Sequence, residues 1–286
     1  MISLFLIIGV FIYNTGLKSI NIGQNETEKK EAVQTSDFQE NITPSNGVEL
    51  PVRWENLGKQ LVETGVIDAQ KFEDLYSQRG GLNDAQKKLL YAEDNGNIVI
   101  SKENSGIILN LLWALGLSNK NQNLENGPMA DSRYGGAQNF ASTAGWTLAE
   151  GGPMVHYNKH QFVTLTPEQQ VLAEKVSKNI YRPCCDNSTY FPDCNHGMAM
   201  LGFLELAASQ GANENELYGM ALVLNSYWFS DSYLTVGKYM ENQGTPWKQV
   251  STKEVLGYNF SSASGYQKIL AQVQQPNIKG GGSCGV

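Results

Sequence analysis

The chain is short of positive charge. Its 21 lysines and arginines face 28 acidic residues, a formal net charge of −7, and the only adjacent basic pairs are Lys29–Lys30 and Lys87–Lys88. Such a surface offers no broad patch for neutralising phosphates, which excludes nucleic acid as the expected partner. Also missing are a GxGxxG turn behind a strand, a Walker loop and a GxSxG elbow, the usual marks of dinucleotide, nucleotide and hydrolase chemistry. Carboxylates do not fill the gap: Glu168, Glu174 and Glu205 fall in helical stretches without a partner acid at a diagnostic spacing and read as solvated. Histidine occurs three times and cysteine four times.

Apolar residues are plentiful, at 41% of 286, enough for one large core. The opening MISLFLIIGVFIYNTGLK is apolar from Ile2 to Tyr13. It falls short of the roughly 17–25 residues of a full span, and it lacks the basic n-region and small-residue cleavage site of a signal peptide. Residues 1–17 read as a membrane anchor or uncleaved signal. Residues 18–50, rich in Asn, Gln, Glu, Ser and Thr, read as a disordered polar linker. This layout predicts a protein held in the membrane by its N-terminal helix, with the folded part on the extracytoplasmic face. Lys18, Lys29 and Lys30 pull against that orientation under the positive-inside rule.

Residues 51–275 carry helical spacing and predict an all-α, single globular domain with minor β structure. Trp54, Leu57, Leu61 and Val62 share a face, as do Phe72, Leu75 and Tyr76. Asn83 or Asp84 can cap DAQKKLLYAED, and NIVIS (97–101) fits one short strand. SKENSGIILNLLWALGL reads as a helix buried on most sides. Residues 119–153 hold six glycines and predict loops with one short helix at 138–149. Thr166, Pro167 and Gln169 open a helix that must stop by Pro183. Helices follow in HGMAMLGFLELAASQG, ENELYGMALVLNSYWF, DSYLTVGKYMENQG and SGYQKILAQVQQ, with a capped turn at STKEVLGY. The aromatic run SYWF (226–229) reads as core with an edge toward the cysteines. Residues 276–286 read as a flexible Gly-rich tail bearing Cys284.

Chemistry concentrates in YRPCCDNSTYFPDCNHGMAM, residues 181–200. Thiolate sulfur and imidazole nitrogen are the preferred ligands of zinc and copper, so Cys185, Cys194 and His196, with Cys184 or a distant residue as the fourth, form a candidate metal set. Adjacent cysteines do not usually both face one ion. A second reading is thiol redox chemistry: with Asp193 or Asn195 capping the next helix, Cys194 lies where unpaired N–H groups favour a thiolate. A third is a disulfide that closes the loop and staples a non-catalytic interaction domain. Cys284, behind three glycines, suits a movable ligand or redox partner. His156 and His160 stand at i, i+4, which aligns two imidazoles on one face of a helix and still places them on one face of a strand, and they are possible additional ligands.

The run RPCCDNSTYFPDCNHGMAML resembles short cysteine motifs of extracytoplasmic thiol and metal-handling proteins, among them the PCYCGC-type lipoproteins and the thiol proteins of cytochrome c maturation. The likeness spans about twenty residues. The chain lacks the spaced Cys-x-Cys-x-Cys of the first and the CxxC of the second, and no lipobox cysteine follows the apolar leader. What the resemblance implies is that Cys184, Cys185, Cys194 and His196 work together. The expectation is therefore a membrane-anchored, extracytoplasmic helical protein that binds copper or zinc, partnered by the metal ion or by a thiol protein.

Overall fold

The computed structural model describes residues 37–273, and its folded unit begins at Gln39. The predicted anchor, most of the polar linker and Cys284 lie outside the described residues. Among the described residues no helix is long and apolar enough to cross a membrane.

The unit is mostly helical, with one two-stranded antiparallel sheet among the described residues. In chain order it contains β1 (Val48–Arg53), α1 (Leu57–Glu63), α2 (Ala69–Ser77), α3 (Asp84–Tyr91), β2 (Asn97–Ile100), α4 (Ser105–Ser118), α5 (Pro167–Ser177), α6 (Asn195–Ser209), α7 (Glu214–Trp228), α8 (Ser230–Asn242) and α9 (Ala263–Leu270). Short helical turns occupy the connections.

The linker predicted over 18–50 is corrected at its end, because Ile42, Thr43 and Leu50 are buried and β1 starts at Val48. Leu50, Val52 and Trp54 alternate inward, while Pro51 points outward on a strand whose only partner is β2. Proline is tolerated on an edge strand and at an irregularity in the pairing, and the register with β2 shifts between Glu49 and Arg53.

The helix starts follow their caps. Asn83, Thr166 and Asn213 each close a capping box with the residue three places on, Gln86, Gln169 and Glu216. Each box satisfies two otherwise orphaned backbone donors. The helix predicted over 138–149 is instead two fragments, Ala137–Asn139 and Ala141–Ala144, because glycines flank and interrupt the segment.

The centre of the unit is the pairing of α4 with α6, both buried along nearly their whole length. Glycines let them approach: a Cβ on Gly116 would stand 2.1 Å from the Met198 carbonyl oxygen, and one on Gly202 2.5 Å from that of Leu112. Neither obstacle is a side chain that can swing away. Gly202→Ala is therefore expected to cost roughly 1–3 kcal/mol, the range for forcing extra methyl volume into a packed core, read as a lowered urea midpoint with unchanged slope. An unaltered midpoint would show that the helices separate freely. The same pairing fixes the start of α6, where the candidate chemistry sits.

Candidate metal centre

Between α5 and α6 the chain makes a tight excursion. Thr189 N–H donates to Ile180 O, Tyr190 N–H to Ser177 O, and Cys185 N–H to Arg182 O, so the loop closes on itself. Ser142 N–H donates to Asp193 O, and Ala263 N–H donates to Cys185 O. The Asp186 carboxylate accepts from the N–H (2.8 Å) and hydroxyl (2.6 Å) of Ser264, at the start of α9. The cysteine turn is thus pinned from two sides.

Its organising group is Arg182, 1% exposed. The Nε–H donates to Cys194 Sγ at 3.0 Å, one terminal nitrogen to Asn187 O at 3.0 Å, and the other to Phe191 O at 3.2 Å and to Asp193 Oδ1 at 2.7 Å. Asn187 donates to the second Asp193 oxygen at 2.8 Å. The guanidinium lies flat over the first turn of α6, where a Cβ on Gly197 would be 2.4 Å from its terminal nitrogen. A buried cation near a helix N-terminus opposes the helix dipole and requires anions beside it. Asp193 is one, and the Cys194 sulfur is the other.

Cys194 is itself the residue capping α6, in extended conformation, with its carbonyl accepting from Met198 N–H at 3.0 Å. Hydrogen bonds from the Cys184 and Cys185 thiols, followed by the Arg182 charge and His196, hold its thiol well below the ordinary range against the opposing effect of burial. Cys184 moves the opposite way, raised first by its hydrogen bonds with Cys185 and Cys194. The two opposite shifts arise from one close sulfur pair, at Sγ–Sγ 3.7 Å.

His196 occupies the second position of α6 and is 5% exposed. Its ring packs on Phe229 at 4.4 Å and edge-on to Trp228 at 6.0 Å, so the SYWF run does turn an edge to the site. Among the described residues its buried Nδ1 has no hydrogen-bond partner. One donor atom each of Cys184, Cys194 and His196 lie within 4.8 Å of one another. The 3.7 Å sulfur separation equals the ligand–ligand edge, about 3.8 Å, of a tetrahedron with Zn–S bonds of about 2.3 Å. It is far from the roughly 2.05 Å of a disulfide.

A second group, Cys185, Asp193 and Cys194, satisfies the same distance test. That group already surrounds a cation, because Arg182 bonds both Asp193 and Cys194. Cys185 Sγ faces Asn187 O at 3.8 Å and Asp193 Oδ1 at 4.0 Å. Of the two adjacent cysteines, Cys184 is the one that joins Cys194 and His196, and Cys185 turns to the arginine side.

His156 and His160 meet each other but belong to neither group. The helical turn covers only Pro153–His156, and Asn158, at φ 55°, folds the chain back. The two rings stack at 5.4 Å, with His156 Nδ1 3.1 Å from His160 Nε2. His156 Nε2 lies 3.0 Å from Glu150 O; a carbonyl only accepts, so that nitrogen carries a proton. Burial and His156 lower the pKa of His160. Glu205, read from sequence as solvated, is wholly buried in α6 and accepts from Asn119 Nδ2 at 2.6 Å. Arg182 and Gly197 escaped sequence reasoning, and the signal available for Arg182 was its place directly before PCC.

No protein-family model, no curated protein and no solved structure matches the chain. The functional reading therefore rests on the site alone.

Proposed function

We propose that this protein binds a soft or borderline metal ion, zinc or copper, through the thiolates of Cys184 and Cys194 and the imidazole of His196. The observation that carries the reading is the convergence of one sulfur each of Cys184 and Cys194 and one ring nitrogen of His196 within 4.8 Å of one another, with the two sulfurs 3.7 Å apart. Arg182 and Asp193 cancel each other's charge, so two thiolates neutralise a divalent ion completely, and Zn²⁺ is the first ion to test. Copper is the alternative because soft thiolate donors also select Cu⁺. Arg182 Nε–H on Cys194 Sγ acts as the outer support that metal-bound thiolates commonly have.

The wider setting is sequence-borne. The apolar leader and polar linker support a membrane-anchored, extracytoplasmic location. Cys284, behind three glycines, belongs to this reading as a movable ligand or redox partner.

The test is metal analysis of full-length chain prepared under reducing conditions and equilibrated with Zn²⁺. One bound equivalent is expected, lost in Cys194→Ser and His196→Gln but kept in Cys185→Ser, with circular dichroism confirming that all four proteins fold. Unchanged zinc in the first two variants removes the reading.

The sulfur pair at 3.7 Å, with the Cys194 pKa lowered, favours one second reading, a disulfide exchanger. Cys194 would attack a partner disulfide and expel one thiolate, and Cys184, giving up its proton, would then displace the other partner thiol as the Cys184–Cys194 bond forms. Glutathione disulfide followed by peptide mapping without reduction distinguishes this case, because it yields that bond in a protein that holds no zinc.

A further inference from the structure

We infer that the centre passes its ion on, with Cys184 as the exit ligand and a dithiolate-bearing molecule as the acceptor. The inference rests on the metal reading above and concerns how the ion leaves.

The three donors are held very differently. Cys194 is fixed through its backbone by the cap of α6 and through its sulfur by Arg182. His196 is buried and packed on Phe229. Cys184 is exposed, and among the described residues its thiol meets only neighbouring cysteine sulfurs, that of Cys194 at 3.7 Å. The backbone beside it is clamped, with Arg182 O holding Cys185 N–H, and Ala263 and Ser264 holding Cys185 and Asp186. The Cys184 thiol therefore moves by rotation of its own side chain, on a fixed platform and facing solvent.

Structural zinc sites close the tetrahedron with four protein ligands, and sites with three keep a position for an incoming group. Three donors converge here among the described residues. An acceptor thiolate that binds from the solvent side meets the loosest donor first. In the step, the acceptor sulfur bonds the ion as the Cys184–ion bond breaks, and Cys184 takes up the proton the acceptor thiol released. The second acceptor thiol then replaces Cys194 with the same proton exchange, and His196 is released last as a neutral imidazole. No electron is transferred, and the ion keeps its charge throughout.

The experiment uses full-length protein loaded with Co²⁺ as the visible stand-in for zinc. It is mixed anaerobically with increasing dithiothreitol in a stopped-flow instrument while the cobalt absorbance is followed. The observed rate is expected to rise in proportion to dithiothreitol across roughly a tenfold range, as attack by thiolate on the loaded site requires. In parallel, limited iodoacetamide treatment of the loaded protein is expected to alkylate Cys184 at least about tenfold faster than Cys194, following exposure. A rate independent of dithiothreitol, in protein that carries one cobalt, overturns transfer and leaves the binding reading standing. Alkylation of Cys194 first overturns the choice of Cys184. A chain that takes up no cobalt removes both proposals together.

Discussion

Arg182→Met is expected to destabilise the fold by about 3–5 kcal/mol, the cost of removing one member of a buried charged pair. The side chain is 1% exposed and directs its N–H groups to four acceptors on three stretches of the loop and cap. Methionine fills much of the same volume but supplies no donor. The Asp193 carboxylate, the Cys194 sulfur and two carbonyls lose their partner, and the desolvation they suffer is no longer offset. Urea unfolding at neutral pH measures the loss. The double variant Arg182→Met with Asp193→Leu is expected to recover part of it, because no unpaired carboxylate then remains. If the single variant moves the midpoint by less than about 1 kcal/mol, Arg182 is not the organising group of the loop.

Glu205→Gln is expected to change how stability depends on pH. Burial raises the Glu205 pKa to about 8, against the opposing hydrogen bond from Asn119. In the unfolded chain a glutamate titrates near 4.3. Between those values the folded protein binds one proton that the unfolded chain has released, so stability falls as pH rises, by about 1.4 kcal/mol per unit. Above about pH 8 the carboxyl is ionised in both states, and this contribution stops changing. Glutamine keeps the shape and an acceptor for Asn119 Nδ2–H, but it has no proton to lose. The variant is thus expected to match the parent near pH 4.5 and to exceed it increasingly toward pH 8, by a total of several kcal/mol. Urea midpoints across that range test this; parallel curves for the two proteins would mean that Glu205 ionises with an ordinary pKa.

The two variants also show what was legible in the sequence. Helices announced themselves through apolar spacing and through caps such as Thr166 with Gln169, because both signals are local. β1 was hidden by Pro51, since a proline in a short run argues against a strand until the edge position is known. Residue type singled out the cysteine cluster with His196, but the set it put first was Cys185, Cys194 and His196, whereas the fold brings Cys184 to Cys194 and His196. Which of the two neighbouring cysteines turns that way depends on the turn that Arg182 O and Cys185 N–H close. Charged residues were the least legible. Arg182 and Glu205 are of types that usually stay in water; Glu205 is buried with Asn119, 86 residues away, as its partner, and Arg182 is enclosed by the fold of its own loop. His156 and His160 were rightly paired, yet the backbone reversal at Asn158 gave them to each other rather than to the cysteines.

The Asp186–Ser264 clip joins residues 78 apart in the chain. During synthesis Cys184, Cys194 and His196 leave the ribosome well before the serine that anchors their turn. The sulfur-bearing loop is consequently secured only after the long stretch up to Ser264 has been made. A product cut short ahead of Ser264 keeps Cys184, Cys194 and His196 but loses the fastening that presents Cys184, which ties the shape of the cysteine turn to synthesis of the segment that begins α9.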